Sequence, residues 1–213
     1  GIPERFPVEA PLVSCRMTTG RLLSRASPTP TLLLGEEMPI QDSNDRYGTV
    51  SRVLHWGMAL LLVWQFLSAG SHALLSDTAV EEFFWGTHKP LGFLLFVLVI
   101  LRALWALMNL SRRPPSVSVA AKLGHLAFYA FLLGLPAFAL LRQYGGGKPF
   151  EPFGIPLMAG LGGEEIEWMQ VPANLFHGWG GWFLLAMIVG HIVMVARHRK
   201  AADQTDVLPR MWG

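Results

Sequence analysis

Hydrophobic and polar positions alternate along the chain in long blocks. Four apolar segments run from about Val53 to Gly70, Phe84 to Leu107, Leu123 to Leu141 and Leu175 to Ala196. Each holds 18 residues or more, enough for a helix to cross a hydrocarbon core about 30 Å thick. They lack the polar stripe that a helix in a water-soluble bundle presents to solvent. The pattern therefore predicts an all-α integral membrane protein, a four-transmembrane-helix bundle. Pro136 falls inside the third segment and should kink it, a break that neighbouring helices can re-satisfy inside a membrane. The longest connection runs from Arg142 to Pro172. Its YGGGKPFEPFGIP stretch is turn-rich, and GGEEIEWMQVPANL is expected to form a short surface helix before the fourth span.

Residues 1–45 break the pattern. They mix Pro, Ser, Thr and scattered charge without periodicity. They read as a disordered tail, set apart from a four-helix domain over residues 46–213. The chain opens on Gly1, and Met17 and Met38 are plausible starts, so part of the tail is expected to be a start-site artefact.

Composition strengthens the membrane reading. The chain is 52% hydrophobic and 15% charged, against about 25% charged in soluble domains. Its mean hydropathy is +0.38. A single cysteine, Cys15, excludes an intramolecular disulfide and a cysteine-based metal cluster. No Gly-rich phosphate loop follows a strand-like run, so neither nucleotide nor nucleic acid is expected as a partner. The lipid bilayer is.

Charge is distributed unevenly between the connections. Arg46 and Arg52 precede the first span, Arg112, Arg113 and Lys122 lie between the second and third, and Arg197, Arg199, Lys200 and Arg210 follow the fourth. The other two connections carry Asp77, Glu81, Glu82, Glu151, Glu164, Glu165 and Glu167. Lys and Arg mark the cytoplasmic side. The expected topology has both termini cytoplasmic in a cell membrane.

Histidines supply the candidate chemistry. His55 opens the first span at its inner end, and His88 lies near the outer start of the second. His177 opens the fourth span at the outer end, and His191 follows 14 residues later. Fourteen residues are close to four whole turns, so the last two share one helix face about 21 Å apart. The four sort by depth into His55 with His191 inside and His88 with His177 outside. Two such pairs in a helical bundle suit two bis-histidine haem sites, because imidazole is a good axial ligand and two of them fill both axial positions. Gly57, Gly86, Gly92, Gly178, Gly180 and Gly190 adjoin these histidines and leave room for a flat macrocycle or for close helix packing. A histidine that hydrogen-bonds a neighbouring helix or relays protons is the competing reading. A di-zinc site lacks intramembrane Asp, Glu or Cys as further ligands. Arg102, 14 residues after His88, falls near the inner pair, where a charge needs a partner such as a haem propionate, or must snorkel to the surface.

RYGTVSRVLHW, THKPLG with LRALW, LGHLAFYAFLLGLP, and HGWGGWFLLAMIVGH followed by a basic tail with LPRM together resemble the bacterial cytochrome b561 family. The resemblance spans about Arg46 to Met211. It implies a four-helix inner-membrane bundle with two haem b groups, ligated by His55, His88, His177 and His191. It also implies electron transfer from superoxide to ubiquinone. On that reading Lys89, Arg142 and Lys148, the cations expected outside, would guide the anion to the outer site. Related four-helix haem proteins anchor dehydrogenases and hydrogenases to the quinone pool, so a subunit serving a partner dehydrogenase stands as the alternative. A haem-free bundle is the third reading.

Overall fold

A computed structural model describes residues 39–201 and 206–212. The expected disordered tail lies outside the described residues as far as residue 38. Four long helices follow: α1 Thr49–Leu74, α2 Ala79–Met108, α3 Val119–Gly145 and α4 Glu167–Lys200. A single 3-10 turn, Pro152–Gly154, and a short terminal helix, α5 Pro209–Trp212, complete the described elements. Each long helix extends past the apolar segment that predicts it, and α2 and α3 begin on side-chain caps. Thr78 accepts from the Glu81 amide and Ser118 from the Ala121 amide, so each satisfies a free N-terminal donor. Glu81 and Glu82 in the first turn of α2, and Arg197 to Lys200 in the last turn of α4, complement the helix dipoles.

Two expectations need correction. The short surface helix before the fourth span is not separate: Glu167 begins α4, which continues through Pro172 without a break. Pro172 is the sixth residue of α4, so it removes one intrahelical bond, to the Trp168 carbonyl, without ending the helix. Residues 39–45, grouped with the tail by composition, instead pack on the start of α1. Asp42, only 4% exposed, accepts from the Gly48 amide at 2.9 Å and the Ser51 hydroxyl at 2.6 Å. Arg113 approaches its other carboxylate oxygen at 3.3 Å. Isolated polar residues showed no periodicity, yet one buried carboxylate organises three partners.

All four long helices are apolar and long enough to span a membrane. Their apolar side chains are largely exposed, as in Leu60 at 72%; in water such a surface would aggregate, whereas lipid covers it. α1 packs along α2, α3 packs along α4, and α2 meets α3 more lightly. Met58, Leu95 and Val99 form the small buried core. α4 has no comparable packing against α1 or α2. The helix pairs thus leave a slot between α4 and the α1–α2 layer. One end of the bundle, here the acidic end, carries the α1–α2 turn and the α3–α4 connection. The basic end carries the α2–α3 connection, the start of α1 and the end of α4.

The α3–α4 connection is folded, not slack. Leu161 donates to the Gly147 carbonyl and Ile166 to that of Gly145, and Phe150 pairs with Met158. Gly147 has φ +65, and a Cβ there would lie 2.3 Å from the Glu164 carbonyl oxygen. Only glycine fits that left-handed, crowded position.

At the basic end the chain terminus docks back. Tyr47 donates its amide to the Arg210 carbonyl, the Trp56 indole donates to Met211, and Arg210 reaches the Pro115 carbonyl. Trp212 meets Trp56 edge-on at 5.2 Å.

Candidate functional site

The slot brings the rings of His88 from α2 and His177 from α4 edge-on to one another. Their ring centres are 6.1 Å apart and nearly perpendicular, at 84°. Metal–imidazole bonds are about 2 Å long, so His88 and His177 at this ring spacing are the residues that would hold a haem iron between them and supply a one-electron centre.

Their outer nitrogens are already engaged. His177 Nδ1 lies 3.1 Å from the Leu135 carbonyl. A carbonyl only accepts, so Nδ1 carries the proton and Nε2 keeps its lone pair. His88 Nδ1 lies 2.6 Å from Ser68 Oγ, which itself donates to the Gln65 carbonyl at 2.8 Å. The indole of Trp85 stacks on the other side of His88, with centres 4.7 Å apart, and His72 stacks on Trp85 at 3.8 Å. His72 donates to Glu81 at 2.8 Å. His72, in the last turn of α1, is the outer member of this stack. Two further contacts from α1 grip the same turn: the Trp64 indole donates to Thr87 Oγ1 and the Gln65 amide to the His88 carbonyl.

The basic end differs. His55 Nδ1 is 3.0 Å from Arg102 Nη1. Guanidinium only donates, so His55 accepts at Nδ1 and holds its proton on Nε2. Arg102, His191 and His125 all lie within electrostatic range of His55. His191 faces His125 at 6.2 Å and Phe128 at 5.6 Å, both edge-on. His125 is hydrogen-bonded to the Ala121 backbone. The two ends thus differ in tautomer: His177 offers a free Nε2 at the acidic end, whereas His55 holds its proton on Nε2 at the basic end.

Glycines separate into two groups. A Cβ on Gly92 would meet Gln65 Nε2 at 2.7 Å, and one on Gly180 would meet Leu135 Cδ2 at 2.8 Å; these two serve packing. Gly57, Gly86, Gly178 and Gly190 have nothing within 4 Å of an added Cβ. Gly181 has equal room, and it sits one turn after His177 on the helix face that leads to His191. Its position four residues after His177 was the signal that could have singled it out.

The three cations expected to guide an anion are brought together. Arg142 and Lys148 are within electrostatic range of Lys89, which follows His88 directly. Gln143, missed by sequence reading, ties Lys89 to the turn that carries Lys148. Its side-chain oxygen accepts from Lys89 Nζ at 3.0 Å, and its amide donates to the Lys148 and Pro149 carbonyls. A polar residue in the last turn of an apolar helix, just before a glycine run, was its only mark.

The profile of the family described as prokaryotic cytochrome b561 matches residues 46–213. Cytochrome b561 homolog 2 of Escherichia coli (strain K12) is 28% identical over 190 residues, covering 83% of this chain and 96% of that protein. With four membrane-spanning helices and a histidine pair set across a slot, the chain belongs to the prokaryotic cytochrome b561 family and is a multi-pass bacterial membrane cytochrome of the b type, made for electron transfer.

Proposed function

We propose that the protein is a superoxide:ubiquinone oxidoreductase with two b-type haems, one held by His88 and His177, the other by His55 and His191. Two superoxide anions each give up one electron and leave as O₂, and one ubiquinone takes both electrons with two protons from water to become ubiquinol. Bis-histidine haem supplies a one-electron centre with no open iron position, suited to transfer through its edge. The observation that carries the reading is Lys89 beside His88, with Arg142 and Lys148 within electrostatic range and its ammonium held by Gln143, which also binds the Lys148 carbonyl. The connections at this end otherwise carry acids, so the attraction for a small anion is local to the ligand. Both termini face the cytoplasm, in keeping with the basic residues at their end. Ligation by His55 Nε2 needs the proton to move to Nδ1 and Arg102 to find another partner, which a haem propionate would provide.

The test is a brief superoxide pulse on the purified, oxidised protein, with the haem α-band followed with and without a ubiquinone analogue. Rapid reduction, with reoxidation only when quinone is present, is the expected result. An α-band that responds to dithionite and ignores superoxide would replace this reading with that of a subunit linking a dehydrogenase or hydrogenase to the quinone pool.

A further inference from the structure

We infer that Ser68 is a positioning residue for the acidic-end haem: it fixes the tautomer of His88 and holds that haem at a lower reduction potential than it would otherwise have. The inference rests on haem ligation by His88, and goes beyond it to a residue on α1 that touches neither iron nor substrate.

The argument is a count of protons. A serine hydroxyl has one hydrogen to donate. Ser68 is fully buried, and its hydroxyl is committed to the Gln65 carbonyl at 2.8 Å, a group that only accepts. Ser68 Oγ can therefore only accept from His88 Nδ1, at 2.6 Å. The His88 proton is then on Nδ1, and Nε2 keeps its lone pair. The three groups form one directed chain: His88 Nδ1–H to Ser68 Oγ–H to the Gln65 carbonyl. Each bond polarises the next, so the serine oxygen is a better acceptor than an isolated hydroxyl. Pulling on the Nδ1 proton makes the imidazole a stronger donor at Nε2, which favours ferric iron and lowers the potential. Ser68 also accepts from the Ser71 hydroxyl through its own carbonyl, at 2.9 Å, which ties down the turn that carries it. Among the described residues no comparable chain reaches the basic end, where His55 accepts from Arg102 and so lies in the opposite tautomer.

The consequence is directional. Lowering the potential at His88 and His177, and not at His55 and His191, tilts the pair so that an electron arriving at the acidic end passes on to the basic end.

Ser68→Ala and Ser68→Thr test this by potentiometric titration of the haem α-band, with His177→Ala identifying the acidic-end component. Ser68→Ala should raise the midpoint of that component and leave the other in place, while Ser68→Thr, which keeps the hydroxyl, should stay near the parent value. Loss of the acidic-end haem in Ser68→Ala but not in Ser68→Thr would equally support the assignment. Unchanged midpoints in Ser68→Ala, an equal shift of both components, or loss of haem in Ser68→Thr as well would overturn it. A parent protein without bis-histidine spectra would instead sink the haem reading itself, before Ser68 is reached.

Discussion

The two ends of the bundle carry the same residue type on the same helix, yet they are prepared differently. At the acidic end both histidines have their Nδ1 groups facing acceptors, and the rings stand at an axial spacing. At the basic end His55 is held by a donor and His191 touches only rings among the contacts resolved. What separates them is the next shell of partners, which decides protonation and ring orientation. A ligand histidine is defined by what its far nitrogen does as much as by its depth. On the proposed ligation, the acidic end is arranged ahead of loading and the basic end would exchange an arginine contact to load.

Single ligand removals probe this contrast most strongly. His88→Ala or His177→Ala should abolish the acidic-end haem and leave the other, and His55→Ala or His191→Ala should do the reverse; haem per chain and the shape of the α-band report it. Haem loss that ignores these pairs would break the depth assignment. Next in size is the cation group. Lys89→Gln should slow superoxide-driven reduction by about 3–10-fold at low salt and flatten its ionic-strength dependence, since a local field acts on encounter and is screened. Stopped-flow absorbance measures it, and dithionite reduction should be unaffected. Asp42→Ala leaves the Gly48 amide and Ser51 hydroxyl without their buried acceptor. It should destabilise the fold by about 1–3 kcal/mol, read as a lower thermal midpoint in detergent, with the basic-end haem released before the other. Smallest is Gly181→Ala. In a helix the change should stabilise by about 1 kcal/mol, so weaker haem retention in a chase with a haem-binding apoprotein would mark the macrocycle on that face. Tighter retention would assign the room there to lipid.

The membrane fold was legible because a run of 18 or more apolar residues has few other physical solutions. The histidine depths followed from the helical repeat alone. The rest depended on pairs distant in sequence. Ser68 looks like any small residue in an apolar helix until α2 brings His88 against it. Gln143 becomes informative only when Lys89 and the Lys148 carbonyl converge on it. Asp42 sits in a stretch without periodicity, where composition speaks for disorder and a single buried carboxylate speaks against it. Pattern reading sees which face a residue occupies, not what waits opposite.

His177 and His191 lie on one face of α4, 14 residues apart, or about 21 Å along the axis. That is most of a hydrocarbon core about 30 Å thick. On the proposed orientation, an electron that enters at the first and leaves at the second carries negative charge inward through much of the voltage drop. A full crossing against an inside-negative potential costs about 2.3 kcal/mol per 100 mV. The spacing of two imidazoles would thus make the cytochrome electrogenic, slower in a well-energised cell and faster in a depolarised one.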